Sequence, residues 1–169
     1  PRDSALLFKD KAIMKPPGAF GSGLQQDYTN WQELPVPTQF LVSALVALDS
    51  AKADYGALQV YPGLHHQHLR PPEKPSDIFN PSAGLVEKEL LGDVQPVMTE
   101  LEPGDVVIFS SLAPHCSGPN RSDQKRRTLF LSYSAARFGD VYDLYYDNFY
   151  GYLKKDRAES NCETFEADY

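Results

Sequence analysis

Proline and glycine interrupt the apolar stretches of this 169-residue chain, and this punctuation constrains the fold more than any other sequence feature. The 14 prolines and 11 glycines leave apolar runs that are too short for long helices but long enough for β-strands. The candidate strands span residues 5–15, 40–48, 57–61, 97–101, 106–110 and 128–134. Several short strands joined by tight turns, with little helix, favour a β-sandwich or a jelly roll.

The overall composition predicts one globular domain without a nucleic-acid or membrane surface. Apolar residues make up 41% of the chain and charged residues 23%, and the formal net charge is -7, which disfavours contact with phosphate groups. No apolar stretch approaches the roughly 18 residues needed to cross a bilayer, and no signal peptide is visible. The two cysteines, Cys116 and Cys162, match neither a disulfide framework nor a zinc site, which favours an intracellular setting, cytoplasmic or in an organelle lumen.

We predict that residues 1–140 form the jelly-roll core and that residues 141–169 form a C-terminal tail or a helix packed on it. Within the core, residues 65–95 read as an irregular insertion because they are largely polar and rich in proline. Long connections inside a compact domain are usually functional or mobile. This insertion is therefore either a lid over a binding cleft or a surface excursion.

The histidines are the first candidates for metal chemistry. Three of the four share one short polar segment: His65, His66 and His68. Such a segment is either a metal site or a turn whose rings face water, since loop histidines at these spacings have no fixed geometry. His115 follows an apolar strand, Arg126 comes eleven positions later, and Asp27 follows a Gly-rich loop upstream. On residue types alone, His115 is either a metal ligand or a core histidine.

Four segments, in this order, resemble the phytanoyl-CoA dioxygenase family. They are Met-Lys-Pro-Pro-Gly at 14–18, Gln-Asp-Tyr at 26–28 with Trp31 following, the stretch 56–65 that ends in Tyr-Pro-Gly-Leu-His, and the stretch 103–126 from a Pro-Gly-Asp turn through His115 to Arg126. The family's iron motif is His-X-Asp, a distal histidine, and an arginine about eleven residues later. The resemblance covers about positions 5–138. It implies a mainly β fold, the double-stranded β-helix or cupin-like jelly roll, with minor helix.

The resemblance also implies a site for Fe(II), 2-oxoglutarate and O₂. Two histidines and one carboxylate would occupy one face of the iron and leave the other face open. Carried over to this chain, Asp27 would be the carboxylate ligand and His115 the distal histidine, the two residues expected to be catalytic. Arg126 would bind the far carboxylate of 2-oxoglutarate, because a guanidinium matches a carboxylate bidentately.

Four further residues have weaker expected roles. Lys15 and Thr128 would add cosubstrate contacts, with Thr128 on the same strand face as Arg126. Tyr28 and Trp31 would wall the substrate pocket, or else they are simply core aromatics. Arg127, on the opposite strand face from Arg126, is expected to be a solvated charge.

The chain departs from the family motif at Gln25, which stands where the first iron-ligand histidine belongs. A glutamine carbonyl oxygen can coordinate a metal, but it is a weaker donor towards Fe(II) than imidazole. Gln25 is therefore a poor ligand in a working enzyme, the mark of a natural pseudoenzyme, or an engineered change. One of the segment's three histidines could also substitute for the missing ligand. The retained carboxylate, Asp27, argues against a halogenase, which lacks it.

We predict a dioxygenase that hydroxylates a small organic substrate. The alternative is a catalytically impaired or non-catalytic jelly-roll binding module, which Gln25 favours, and a cupin-like sugar-binding domain is a third reading. The family usually has helices before the strand that ends near 15–18, where this chain begins. We therefore expect either a missing N-terminal helical region or a homo-oligomer to cover the outer sheet face.

Overall fold

The computed structural model describes residues 4–69 and 85–159, and within this part the chain forms eight strands and one α-helix. The strands are β1 (Ala5–Lys15), β2 (Ser22–Gln25), β3 (Leu41–Ala47), β4 (Leu58–Val60), β5 (Val97–Thr99), β6 (Val106–Ser110), β7 (His115–Ser117) and β8 (Arg126–Ala135). The helix, α1, spans Tyr142–Glu159. The predicted strands 5–15 and 106–110 have the observed bounds, whereas β2 and β7 were not predicted.

The strands form two four-stranded sheets. The major sheet has the order β1-β8-β3-β6, the minor sheet has the order β2-β7-β4-β5, and every pair of neighbours is antiparallel. Consecutive strands alternate between the sheets over much of the chain, which is how a jelly roll encloses its interior. The mainly β prediction with minor helix is therefore confirmed.

Side chains along β8 alternate strictly between the inner and the outer face of the major sheet. Five residues of β8 are buried between the sheets: Arg126, Thr128, Phe130, Ser132 and Ser134. Arg127 lies on the other face, as alternation predicts. It is not simply solvated, however, because its guanidinium donates two 2.9 Å hydrogen bonds to the carboxylate of Asp49. The expectation of a solvated charge was wrong, because Asp49, two residues after the end of the neighbouring strand β3, forms an ion pair with Arg127.

Two apolar clusters form much of the core of the described residues. One surrounds the start of β1 and contains Phe8, Trp31, Leu34, Val36, Leu41 and Val141. The other lies deeper between the sheets and contains Leu45, Leu58, Phe109, Ala113 and Phe130. Each buried side chain of this size contributes on the order of 2 kcal/mol through removal from water. The polar residues described below lie beside the second cluster.

The C-terminal stretch packs on β1 through helix α1. Tyr142 and Tyr146 each donate a 2.9 Å hydrogen bond to the Asp10 carboxylate, and the ring of Tyr145 meets Phe8 edge-on at 5.8 Å. Residues 160–169, with Cys162, lie outside the described residues. No helix in the described ranges is long and apolar enough to span a membrane.

The predicted insertion at 65–95 is described only at its two ends, and residues 70–84 lie outside the described residues. Both ends contact β2 or the residue after it. Val86 donates a backbone hydrogen bond to Leu24 at 2.8 Å, and Leu69 donates one to the Gln26 side chain at 3.0 Å. The ends are therefore fixed to the strand that carries Gln25.

The outer face of the major sheet carries exposed apolar side chains that none of the described residues covers. Met14 is 72% exposed, Ile108 is 69% exposed and Val106 is 50% exposed. Register places Val106 beside Val46 and Ile108 beside Ala44 on β3, so these side chains share one face.

Candidate active site

Pairing of the two short strands β2 and β7 brings Gln25 and His115 together. The two residues are register partners, and their side chains meet with the Gln25 Nε2 atom 3.3 Å from the His115 Nε2 atom. Asp27, two residues after Gln25, places its Oδ1 atom 3.7 Å from the same His115 nitrogen. The structure thus brings together the three residues that occupy the ligand positions of the family's iron motif.

The hydrogen bonds of His115 assign its tautomer. Its Nδ1–H donates to the carbonyl oxygen of Ala113 at 3.0 Å, which leaves the Nε2 lone pair directed towards Gln25 and Asp27. The ring is 2% exposed and packs against Phe109 with centroids 5.0 Å apart. A buried imidazole oriented in this way by a backbone carbonyl is typical of metal-ligating histidines.

Asp27 is held by a neighbour on the major sheet. The buried Ser43 hydroxyl donates a 2.9 Å hydrogen bond to the Oδ2 atom of Asp27, while Oδ1 faces His115. Serine in the otherwise apolar strand β3 is explained by this bond. One carboxylate oxygen is fixed and the other points to the shared centre.

Gln26, between the two motif residues, points the other way and is fully buried. Its side-chain amide donates to the Gln67 carbonyl at 2.8 Å and also to the Leu112 carbonyl, and its Oε1 accepts from the Leu69 amide. These bonds tie the motif to the turn before His115 and to the start of the 65–95 segment.

A cavity of about 390 Å³ opens onto these residues; we call it the ligand cavity. Its lining includes Gln25, Asp27, His115, Arg126, Lys15, Ser117 and Phe130. A second cavity of about 430 Å³, the aromatic cavity, lies between β1, residues 29–34 and α1, and its lining includes Trp31, Tyr145, Phe149 and Tyr152. Lys9, Lys11 and Asn30 line both cavities.

Arg126 and Thr128 carry buried polar atoms with no hydrogen-bond partner among the described residues. These atoms are Arg126 Nε and Thr128 Oγ1, and both residues lie on the inward face of β8. Burial lowers the pKa of Arg126 below its usual range. Buried polar groups are normally satisfied, so an unpartnered guanidinium nitrogen beside a cavity indicates a ligand site. Thr128 is not among the residues that line the cavity.

Lys15 lies across the strand pair from Arg126 and is already hydrogen-bonded. Its Nζ atom donates to the Ser117 hydroxyl at 2.9 Å and to the Gly118 carbonyl at 2.5 Å. Burial, with the nearby charge of Arg126, lowers the pKa of Lys15 to about 8. Two adjacent cations facing one cavity favour an anion there.

The remaining predicted site residues lie elsewhere. Trp31 is in the apolar cluster of Phe8 and lines only the aromatic cavity. Tyr28 is 2% exposed and packs edge-on against His68, whose ring also bonds the Thr38 hydroxyl at 2.9 Å. None of the residues in the segment His65, His66 and His68 lines the ligand cavity. The structure therefore offers core packing for the two aromatics and no substitute ligand from that segment.

Sequence reasoning missed Lys9, Lys11 and Ser43. Alternation groups positions 9, 11, 13 and 15 on one face of the strand, but it does not say that this face is the one turned to the cavity. The signal for Ser43 was a single hydroxyl in a strand of apolar residues.

The donor set fits iron only if Gln25 takes part. No group of three or more His, Cys, Asp or Glu side chains in the described ranges is placed to hold a metal. His115 and Asp27 supply a neutral nitrogen and an anionic oxygen, and rotation of the Gln25 amide would supply a carbonyl oxygen. With the unpartnered Arg126 nitrogen beside them, these residues fit a metal with an anionic cosubstrate.

Comparison with known proteins points to one family. The family model of phytanoyl-CoA dioxygenase matches residues 3–128, which include Gln25, Asp27, His115 and Arg126. Methylphosphonate hydroxylase of Gimesia maris is 32% identical over 144 residues, which cover 85% of this chain and 51% of the relative. A 2-aminoethylphosphonate dioxygenase from an uncultured bacterium is 29% identical over 141 residues, covering 82% and 49%. The chain thus spans about half the length of these curated relatives.

A solved structure supports the fold. EctD from S. alaskensis, crystallised with 2-oxoglutarate and 5-hydroxyectoine, superposes with a TM-score of 0.67 at 23% identity, over 80% of this chain and 46% of EctD. The prediction of a cupin-like jelly roll is confirmed by this likeness and by the sheet topology. The family prediction is also confirmed: this chain belongs to the phytanoyl-CoA dioxygenase family.

Proposed function

We propose that this chain carries the active site of an Fe(II)- and 2-oxoglutarate-dependent dioxygenase that hydroxylates a small organic substrate. One observation carries the proposal. The His115 Nε2 atom, the Asp27 carboxylate and the Gln25 amide meet in one cavity, and the cavity also contains the buried Arg126 guanidinium with an unpartnered nitrogen.

Gln25, Asp27 and His115 would hold the metal. Bound Fe(II) would supply O₂ activation coupled to the decarboxylation of 2-oxoglutarate to succinate and CO₂, with hydroxylation of a C–H bond. The chain's own contribution is orientation. The Ala113 carbonyl fixes the His115 ring, and Ser43 fixes one oxygen of Asp27, so that neither ligand has to reorganise when the metal binds.

Arg126 would bind the distal carboxylate of 2-oxoglutarate. A guanidinium nitrogen that is buried without a partner gains a charge-assisted bond when a carboxylate arrives. Lys15, its neighbour across the strand pair, would add positive charge at the same end of the cavity. Thr128 would offer its unpartnered hydroxyl on the same sheet face.

The alternative of a non-catalytic jelly-roll module depends on Gln25 alone. In the free chain the Gln25 amide donates to the nitrogen that a metal would need, so metal binding must break this bond and rotate the amide. The relatives named as hydroxylase and dioxygenase do not favour this alternative. Their names make methylphosphonate and 2-aminoethylphosphonate the first substrates to test.

The test is succinate formation from 2-oxoglutarate with Fe(II) and O₂, with and without each phosphonate. We expect substrate-stimulated turnover that falls at least about 100-fold in His115→Ala, because loss of a metal ligand removes the metal-dependent reaction. His68→Ala, outside the ligand cavity, serves as the matched control and should retain turnover. Turnover that survives His115→Ala would contradict the proposal.

A further inference from the structure

Strand β1 carries three lysines on the side that pairs with the buried face of β8, of which Lys15 is buried, Lys9 is half-buried and Lys11 is exposed at the sheet edge. Register pairs Lys15 with Arg126, Lys11 with Phe130 and Lys9 with Ser132, and these β8 residues all lie on its buried face. Lysine side chains are rarely drawn out of water unless an anion or a polar partner meets them, which applies to Lys15 and in part to Lys9. Lys9 and Lys11 line both cavities and therefore stand at their junction.

The charges that line the ligand cavity do not balance. Among the described residues, its lining contains four basic side chains, Lys9, Lys11, Lys15 and Arg126, and one acidic side chain, Asp27. This excess occurs in a chain whose formal net charge is -7. Fe(II) and the 2-oxoglutarate dianion carry equal and opposite charges, so the binding of both leaves the excess unchanged. A second anion would reduce it.

Lys15 and Arg126 lie side by side, which leaves Lys9 and Lys11 for that second anion. The Lys9 ammonium lies over three aromatic rings, 5.1 Å from the centroid of Trp31, 5.7 Å from Tyr145 and 5.9 Å from Phe130. Its ammonium makes no hydrogen bond or ion pair with another described residue.

An anion bound beside Lys9 would stabilise its protonated form, which burial disfavours. Burial lowers the pKa of Lys9 to about 8, the Asp27 carboxylate partly offsets this, and Lys11 adds to it. Asp27, one of the proposed metal ligands, is thus near enough for its charge to raise the pKa of Lys9. The rings hold the ammonium by cation–π attraction and leave its N–H groups available to water or to a ligand.

We propose that Lys9 and Lys11 bind the anionic group of the substrate, so that this dioxygenase acts on a small organic oxyanion. The inference deepens the proposed function and rests on it for the word substrate. The anion subsite itself, however, is a property of this chain that can be measured without metal. Phosphonate, carboxylate and sulfonate groups share the chemistry that two ammonium groups recognise. Asn30, which also lines both cavities, would add an amide contact.

The test measures binding rather than turnover. Phosphorus NMR would follow methylphosphonate binding to the metal-free chain and, anaerobically, to the chain loaded with Fe(II) and 2-oxoglutarate. Lys9→Met should weaken binding by about tenfold or more, since it removes a charge-assisted hydrogen bond to the anion. Lys9→Arg should restore most of it. Lys88→Met, which removes an exposed lysine from the short helical turn Lys88–Leu91, should leave it within about twofold.

Two ligand controls separate the explanations. Dimethyl methylphosphonate, which is uncharged, should not bind, and methanesulfonate and acetate compared with methylphosphonate should identify the preferred oxyanion. Methylphosphonate binding that is unchanged in Lys9→Met, or that disappears in Arg126→Met but not in Lys9→Met, would overturn the subsite. Failure to bind iron with intact, Lys9-dependent anion binding would instead contradict only the proposed function.

Discussion

Ser43 is the one hydroxyl in strand β3, and it shows how a single side chain can fix a proposed metal ligand. Its hydroxyl donates to Asp27, whereas its cross-strand partner Ser132 is equally buried and has no hydrogen-bond partner in the described residues. The two serines therefore form a matched pair, one with a partner at the site and one without.

This pair gives the first residue-scale prediction. Ser43→Ala should weaken Fe(II) affinity by about 10-fold or more, because outer-shell hydrogen bonds orient metal ligands. Ser132→Ala removes a hydroxyl that bonds nothing and should leave the affinity unchanged. Anaerobic equilibrium dialysis with Fe(II) measures both. Equal losses in the two variants would mean that general packing, and not the bond to Asp27, is responsible.

Arg126 and its neighbour Arg127 allow a similarly matched test of cosubstrate binding. Arg126→Lys should weaken 2-oxoglutarate binding by about 10- to 100-fold, since lysine cannot reproduce a bidentate contact in the same place. Arg127→Lys changes the same residue type on the outer face, where the partner is Asp49, and should have little effect. Calorimetric titration with 2-oxoglutarate distinguishes the two. Similar affinities in both variants would remove Arg126 from the cosubstrate site.

Some of these residues could be predicted from the sequence and others could not. Asp27, His115 and Arg126 belong to the ordered motif on which the family resemblance rests, and all three line one cavity in the structure. Lys9 and Lys11 could not be assigned to the cavity lining, because charged residues on a strand are ordinarily taken to face bulk water. Their direction depends on pairing with β8 and on the irregular register near Phe8.

At the scale of elements, the two strands that the sequence did not predict, β2 and β7, are those that carry Gln25 and His115. Strands β2 and β7 have four and three residues, carry polar side chains and show no apolar alternation. β2 pairs with β7, and β7 pairs with β4 on its other side. Such long-range pairing leaves no local pattern in the sequence. The longer strands β1 and β6, with apolar runs bounded by turns, were predicted correctly.

Asp49, in the connection after β3, gives a prediction about how the stability of the fold depends on pH. Asp49 accepts two bonds from the Arg127 guanidinium and one from its backbone amide, which together lower the pKa of Asp49 from 3.8 to about 2. A carboxyl whose pKa is lower in the folded state stabilises the fold above its unfolded pKa and loses that contribution as the pH falls towards the folded value.

Asp49→Asn should therefore be less stable than the parent chain near pH 6, and this difference should shrink between about pH 4 and pH 2, because the parent loses the contribution of the charged pair there. Thermal unfolding of both chains across this range measures the difference, and other carboxyl groups cancel in the subtraction. A difference that does not vary with pH would show that the ion pair contributes nothing in this window.

At the scale of the whole molecule, the major sheet separates two environments. Its inner face carries the charged and polar residues of the cavities, and its outer face exposes apolar side chains such as Met14 and Ile108. An apolar face of this kind is what an additional helical region or a second copy would cover. Both expectations stay predictions, as does the intracellular setting.

Likeness to known proteins establishes the fold and the family of this chain. Sheet order and superposition on EctD establish the jelly roll, and the family match establishes descent. Neither decides the effect of one changed ligand, because Gln25 alters the donor set without altering the backbone pairing of β2 with β7. The function therefore depends on a property that only metal binding can reveal.

The most direct measurement is an anaerobic titration of the metal-free chain with Fe(II) and 2-oxoglutarate, followed by the visible charge-transfer band of their chelate. We predict a saturable band in the parent chain and tighter Fe(II) binding in Gln25→His, since imidazole is the better donor. A band only in Gln25→His would show that the parent chain has lost the metal site at one position. No band in either protein would contradict the account of Gln25, Asp27, His115 and Arg126 as one site.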